Sequence, residues 1–250
     1  MIYCGNSVDV MKEQIEDNSI DLTVTSPPYD NQRVYNGYTF DFESIAQQLY
    51  RVTKIGGIVV WVVADETKQF CESLTSFKQA IYFNSIGFNL LDTMIYHKSN
   101  YAPAYPTLKR YANTFEYMFV FSKNKPKTFN PIQQDKVIKN YKNKRSWFRQ
   151  KDGSQILKII DNDRETKDAE NVWTICPTKA KDAKNHPGVY PEQLARDHIL
   201  SWSNEGDTVL DPMCGSGTTL KMAKALNRRY IGIDISQEYV DIAQERIKGK

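Results

Sequence analysis

Histidine is nearly absent from this chain: His97, His186 and His198 are the only three in 250 residues. A Ser–His–Asp hydrolase is hard to assemble from so few. Cysteine is as sparse, and Cys4, Cys71, Cys176 and Cys214 show no CxxC spacing and no nearby paired histidines. That argues against a metal site and for reduced, structural thiols. No apolar run approaches the ~18 residues of a membrane span. The first residues also lack a basic region followed by an apolar one, so a cytoplasmic location without a membrane partner is expected. What remains is a globular composition, 40% apolar and 25% charged. The length suits one large α/β domain with an embellishment, or two small domains.

Net charge is also small, at +3, but it is unevenly spread. Residues 123–151 hold ten Lys or Arg against Asp135 alone, a local +9 that leaves −6 on the rest. An acidic body with one basic segment points to recognition of a polyanion; the plainer reading of such a run is a solvated loop.

Elsewhere the apolar pattern alternates between helix and strand periods. Helices are expected over 8–15, over a segment containing Ile45, Leu49 and Val52 that ends near Gly56-Gly57, and over 76–86, 192–202, 218–226 and 237–248. Strands are expected up to Val24, in "GIVVWVV", over 91–96, 115–121 and 208–210, and over 230–233. Residues 30–40 read as a polar, aromatic loop with a turn at Asn36-Gly37. Ser236 is placed as N-cap of the last helix, whose face Val240, Ala243 and Ile247 form. From Ser122 to about Lys184 the chain is basic and polar with little periodicity, and this reads as an insertion.

Two segments carry chemistry. In "VTSPPYDN", residues 24–31, Pro27 and Pro28 donate no backbone N–H, so the preceding strand must stop there. Tyr29 is thrown off its carboxyl end, where open α/β sheets bind ligands, although a packed tyrosine in a turn is the plainer alternative. The second segment, "TVLDPMCGSGTTLKMAKAL", is a strand, a glycine turn and a helix. Gly215 and Gly217 allow close approach of a ligand, and the helix start offers unpaired N–H groups. Asp234 ends the next strand, placed to accept from ribose hydroxyls. There is no lysine at the Walker position and no third glycine of the pyrophosphate fingerprint. Asp211 would repel a pyrophosphate and suits an amino group or a sulfonium cation, which favours S-adenosylmethionine over NAD or ATP.

With both segments in hand, the chain resembles the amino-group DNA methyltransferases. That family carries "DPF-x-GSGT" for its cofactor and "S/D/N-P-P-Y/F" for catalysis, matched here by "DPMCGSGTT" and "TSPPY". "HPGVYPEQL", residues 186–194, matches a third segment, often "HPAxFPEEL", with Gly188 and Tyr190 as departures. Met213-Cys214 is a departure inside the cofactor turn. Asn6 stands where the family commonly has an aspartate near the adenine. Catalytic motif first is the beta order. It implies a circularly permuted Rossmann-like methyltransferase sheet, mostly parallel, with helices on both faces. The chain begins on the neighbour of the strand that carries Asp234, near which it ends. Residues 1–122 become the catalytic half, 123–184 a target-recognition insertion and 185–250 the cofactor half. The resemblance places Asn6, Tyr190, Pro191, Asp211, Met213, Gly215, Gly217, Thr218, Asp234 and Ile235 around S-adenosylmethionine. It places Ser26, Pro27, Pro28 and Tyr29 at the catalytic centre.

An exocyclic amine is a poor nucleophile because its lone pair is delocalised into the ring. The Ser26 hydroxyl and the Pro27 carbonyl can accept its two hydrogens, with the prolines holding them preorganised. Tyr29 offers a face on which a flipped base stacks. Cys176-Pro177 reverses the Pro-Cys pair of C5-cytosine enzymes, so no covalent step is expected. The form "T-S-P-P-Y" is commoner among cytosine-N4 members of the family than among adenine-N6 members. Duplex DNA is the expected partner, contacted by Lys142, Lys144, Arg145 and Arg149; a cognate restriction endonuclease and a second copy of the chain are further candidates. A methyltransferase of this fold acting on RNA or protein is a second reading. An inactive DNA-binding module is a third, opposed by the intact Ser26, Asp211 and Asp234.

Overall fold

A computed structural model describes residues 1–28, 40–101, 110–135, 141–162, 165–177 and 190–249. Tyr29, the Asn36-Gly37 turn and residues 186–189 lie outside the described residues. The chain divides into two units, Met1–Asn130 with Asn171–Lys250, and Pro131–Glu170. In order, the first half comprises β1 (Ile2–Cys4), α1 (Ser7–Gln14), β2 (Ile20–Thr25), α2 (Phe42–Val52), β3 (Thr53–Val63), β4 (Thr67–Lys68), β5 (Cys71–Glu72), α3 (Thr75–Ser85), β6 (Asn89–Lys98) and β7 (Phe115–Ser122). There follow β8 (Gln133–Asp135), β9 (Tyr141–Arg149), β10 (Gln155–Asn162), β11 (Thr166–Asp168), β12 (Val172–Ile175), α4 (Glu192–Trp202), β13 (Thr208–Asp211), α5 (Thr218–Ala225), β14 (Arg229–Asp234) and α6 (Gln237–Lys248).

The first unit is built on one sheet in the order β1-β14-β13-β2-β3-β7-β6-β12. Its strands run parallel except where antiparallel β7 separates β3 from β6. The permutation expected from the motif order is visible at one edge, where β1 pairs with β14 and Cys4 lies opposite Asp234. Side chains alternate across a strand, so β3, apolar at every position from Ile58 to Val63, has to be covered on both faces. Val59, Trp61 and Val63 enter one core with Met11 of α1, Leu49 of α2 and Phe83 of α3. Ile58, Val60 and Val62 enter the other with Leu194 and Ile199 of α4 and Ala223 of α5.

This layering creates the place where a ligand can sit. From β13 the chain passes through α5 to β14 in one direction along the sheet. From β2 it passes through α2 to β3 in the other. α5 and α2 lie on opposite faces, so the carboxyl ends of β13 and β2 flank a topological switch point, where open sheets leave a crevice.

Some local expectations give way. α2 stops at Val52 because Thr53 turns back on it, its hydroxyl and its N–H both donating to Leu49. Gly56, with φ +81°, then sits inside β3 at a register shift against β2, where a Cβ would lie 2.5 Å from the Lys127 side chain. Ser236 occupies the N-cap position of α6 as expected, but its side chain makes no cap bond; its own N–H donates to the Asp234 carboxylate. The basic region contains regular strands. In the second unit β9 and β10 form an antiparallel hairpin and β8 pairs with β11. β12, with Trp173, belongs to the main sheet of the first unit. Among the described residues no helix is long and apolar enough to cross a membrane.

The core also holds a histidine. His198 of α4 is fully buried, its ring against Trp173 with centroids 4.5 Å apart and its Nε2 3.2 Å from the Met118 sulfur. Burial, which penalises the imidazolium, pushes its pKa down to about 3. The unfolded chain therefore binds this proton from pH ~6.5 downward while the folded one does not. Relative to His198→Phe, the wild type is expected to lose about 1.4 kcal/mol of folding stability per pH unit from ~6.5 toward ~4. Denaturant titrations of both proteins across that range check the difference; parallel curves would refute it.

Candidate active site

A buried carboxylate organises the switch point. Asp211, the last residue of β13, is 2% exposed. Its Oδ1 accepts from the Thr25 hydroxyl at the end of β2 at 2.8 Å and from the Met213 N–H at 3.2 Å. Its Oδ2 accepts from the Tyr190 hydroxyl at 3.3 Å. That hydroxyl also meets Thr219 Oγ1 of α5, and Thr219 donates to the Val24 carbonyl at 3.0 Å. One network thus joins β2, β13, the turn after β13, the start of α5 and the approach to α4. Burial raises the Asp211 pKa to about 6, against the pull of the hydrogen bonds that favour the carboxylate. Tyr190 is raised well above its ordinary value, first by burial and then by the nearby Asp211 charge.

The glycine turn beside this network is tied down at both ends. Asp234 at the end of β14 accepts from the Gly215 N–H and the Ser236 N–H, both at 2.9 Å. Burial raises its pKa, and those N–H groups oppose the rise. Each oxygen keeps further lone-pair capacity for a hydroxyl donor. Gly217 has φ +78°, and a Cβ there would fall 2.8 Å from that of Ala243 in α6. Its glycine is thus demanded by backbone conformation and by helix packing. Arg246 of α6, 4% exposed, donates to the Ser216 carbonyl at 2.6 Å and the Ser216 hydroxyl at 3.0 Å. It also reaches Thr218 Oγ1 and Glu192, the latter shared with Lys221. Ser7 of α1 donates to the Pro212 carbonyl.

Among the residues singled out from sequence, Ser26, Pro27 and Pro28 directly follow Thr25, Ser26 half-buried and Pro27 buried. Tyr29 lies outside the described residues. Asp211, Met213, Gly215, Gly217, Thr218 and Tyr190 gather at the switch point, and Pro191 is the N-cap of α4. Asp234 and Ile235 follow at the end of β14. The Asn6 amide oxygen caps α1, accepting from Val8 N–H at 2.9 Å. The basic four do not share a face. β-alternation sets Lys144 against Arg145 and Arg149, and Lys142 lies with Asn143, whose φ is +54°, in the stretch where the register shifts. Thr25 and Thr219 lie inside the quoted motifs, but the motifs assign neither a partner, and Arg246 carries no signal at all, since a lone arginine in an amphipathic helix reads as solvated. No group of three His, Cys, Asp or Glu among the described residues is placed to hold a metal.

Two strand-end carboxylates at a topological switch point, beside a glycine turn and a Ser-Pro-Pro strand end, define an open α/β fold of the kind that binds ligands at the carboxyl ends of its strands. The N6_N4_Mtase family model, described as DNA methylase, matches residues 20–245. The chain belongs to that family. The orphan methyltransferase M.BamHII of Bacillus amyloliquefaciens is 53% identical over 246 residues, covering 95% of this chain and 92% of that one. The type II methyltransferase M.BglII of Bacillus subtilis is 30% identical over 260 residues, covering 100% and 69%. Among solved structures, the PvuII DNA methyltransferase (cytosine-N4-specific) superposes with a TM-score of 0.73 at 19% identity, covering 98% of this chain and 85% of that one. The M1.HpyAVI–SAM complex gives 0.69 at 21%, covering 99% and 98%. These likenesses establish the fold.

Arg246 supplies the test of the turn. Replacing it with Ala removes charge-assisted bonds worth roughly 1.5–3 kcal/mol while Glu192 keeps Lys221. Amide exchange at residues 215–218 is expected to accelerate, with α3 amides unchanged. Uniform acceleration across the chain would mark Arg246 as a general packing residue.

Proposed function

We propose that the chain transfers a methyl group from S-adenosylmethionine to the exocyclic N4 of cytosine in duplex DNA. The observation that carries this reading is the Thr25–Asp211 bond, which brings the Ser26-Pro27-Pro28 strand end beside the glycine turn. The cofactor fits the residues present. Asp234 retains acceptor capacity for ribose hydroxyls, and the buried Asp211 carboxylate adds a negative potential suited to a cation. When bound, S-adenosylmethionine supplies an electrophilic methyl group on a sulfonium sulfur.

The chain's own groups then act on the amine. The Ser26 hydroxyl oxygen and the Pro27 carbonyl accept its two hydrogens, which favours tetrahedral nitrogen with the lone pair turned toward the crevice. Pro27 and Pro28 fix those acceptors before substrate arrives, because their φ angles are locked. The base has to leave the stack to reach a strand end, and Tyr29 offers the stacking face. Once the nitrogen is alkylated, its surplus proton passes to water. Within the family resemblance, the serine-headed motif favours cytosine over adenine.

Two measurements test this. Ser26→Ala is expected to lower kcat by roughly 100-fold, the scale of one missing oriented hydrogen-bonding partner at a reacting centre, with much less effect on DNA binding. Nucleoside mass analysis of the wild-type product should show N4-methylcytosine; N6-methyladenine would keep the acceptor chemistry and overturn the base assignment.

The Asp211 carboxyl sets a pH dependence. Below about pH 6 it takes up a proton and loses its charge. Preference for the cationic S-adenosylmethionine over the neutral S-adenosylhomocysteine should therefore shrink as pH falls through ~6. Calorimetry with both ligands at pH 5 and pH 8 reads this ratio, and a constant ratio would remove Asp211 from cation recognition.

A further inference from the structure

The hairpin in the second unit is basic on its own. Residues 141–162 hold six Lys or Arg against Asp152 and Asp161. Its register sorts the side chains. Arg149, Trp147 and Arg145 stand opposite Gln155, Leu157 and Ile159 on one face, while Phe148, Ser146 and Lys144 stand opposite Ile156, Lys158 and Ile160 on the other. The two faces differ in chemistry. The first leaves Trp147, Ile159 and Leu157 at 66%, 64% and 44% exposure, flanked by two exposed arginines. Among the described residues neither guanidinium has an ion-pair partner. On the second face Phe148 and Ile156 are each 39% exposed, and the Lys158 ammonium lies 5.4 Å from the centre of the Phe148 ring.

We propose that this hairpin reads DNA with one face: Arg145 and Arg149 address base edges about four base pairs apart, and Lys144 and Lys158 on the other face hold phosphates. The proposal rests on the DNA methyltransferase reading above and deepens it. A two-stranded ribbon fits the major groove, and a guanidinium fork matches guanine O6 and N7, whereas an ammonium serves as a point charge for phosphate. Strand rise is ~3.4 Å per residue and base-pair rise is also about 3.4 Å, so side chains four residues apart address base pairs about four steps apart. Trp147, midway between them, supplies an apolar surface of the kind that thymine methyls accept. A second copy of the chain is the other candidate for this apolar surface. Symmetric pairing of the face would bring like-charged arginines together, which disfavours it.

Sequencing the sites methylated by the full chain in a randomised duplex pool tests the assignment. Arg145→Ala and Arg149→Ala should each relax one base-pair position, by roughly 5- to 150-fold in preference, with the two positions about four apart. The double variant Lys144→Ala/Lys158→Ala should keep the preferred sequence and flatten the salt dependence of DNA affinity, by about 0.9 log units per log salt for each phosphate no longer neutralised. Unchanged sequence preference in both arginine variants overturns the proposal. So does a shift from dimer to monomer with Trp147→Ala at intact sequence preference, which would make the face an interface between copies. A wild type that methylates no duplex in the pool defeats the functional reading itself, and is thereby told apart from a failure of the face assignment.

Discussion

Everything at the crevice depends on keeping one negative charge out of water. An unpaired carboxylate in an apolar interior costs several kcal/mol, so Asp211 is tolerable only with donors around it. Those donors come from segments far apart in the chain: Thr25 at a strand end, Met213 in the turn, Tyr190 before a helix. None can move without leaving the charge exposed to its apolar surroundings. The requirement that makes the carboxylate stable therefore also fixes the distance between the glycine turn and the Ser26 loop.

A buried cation performs the complementary task on the other side of the turn. Arg246 holds the Ser216 carbonyl and hydroxyl, and its charge is balanced by Glu192. With Asp234 on the Gly215 N–H, the turn is held from two directions by the protein alone. Its shape is therefore set by the fold, and a ligand entering it has little ordering cost to meet.

The sequence made the architecture legible where chemistry was local. Helices α4 and α6 have the bounds expected of them, because an apolar stripe and its ends are written in consecutive residues. The Gly56-Gly57 pair misled for the same reason: glycines after a helical pattern signal a C-cap, whereas here they serve a register shift set by a neighbouring strand. Most of the residues gathered at the switch point could be named from sequence because a motif collects them. Thr25 and Thr219 stand in those motifs with no visible role and Arg246 stands in none, since each acquires its role from a partner in another element. The opposed faces of β9 were likewise hidden until the register with β10 separated Lys144 from Arg145.

The permuted strand order also governs when the site can come into being. Thr25 and Asp211 stand 186 positions apart. Closing a loop of that length costs roughly 4–5 kcal/mol of chain entropy by the logarithmic scaling. A chain emerging from the ribosome completes β2, β3 and most of one core long before β13 exists to lie beside β2. Until then the edge of β2 is an open template and the crevice has only one wall. The core around β2 and β3 thus accumulates early, while the second wall of the crevice arrives only with β13.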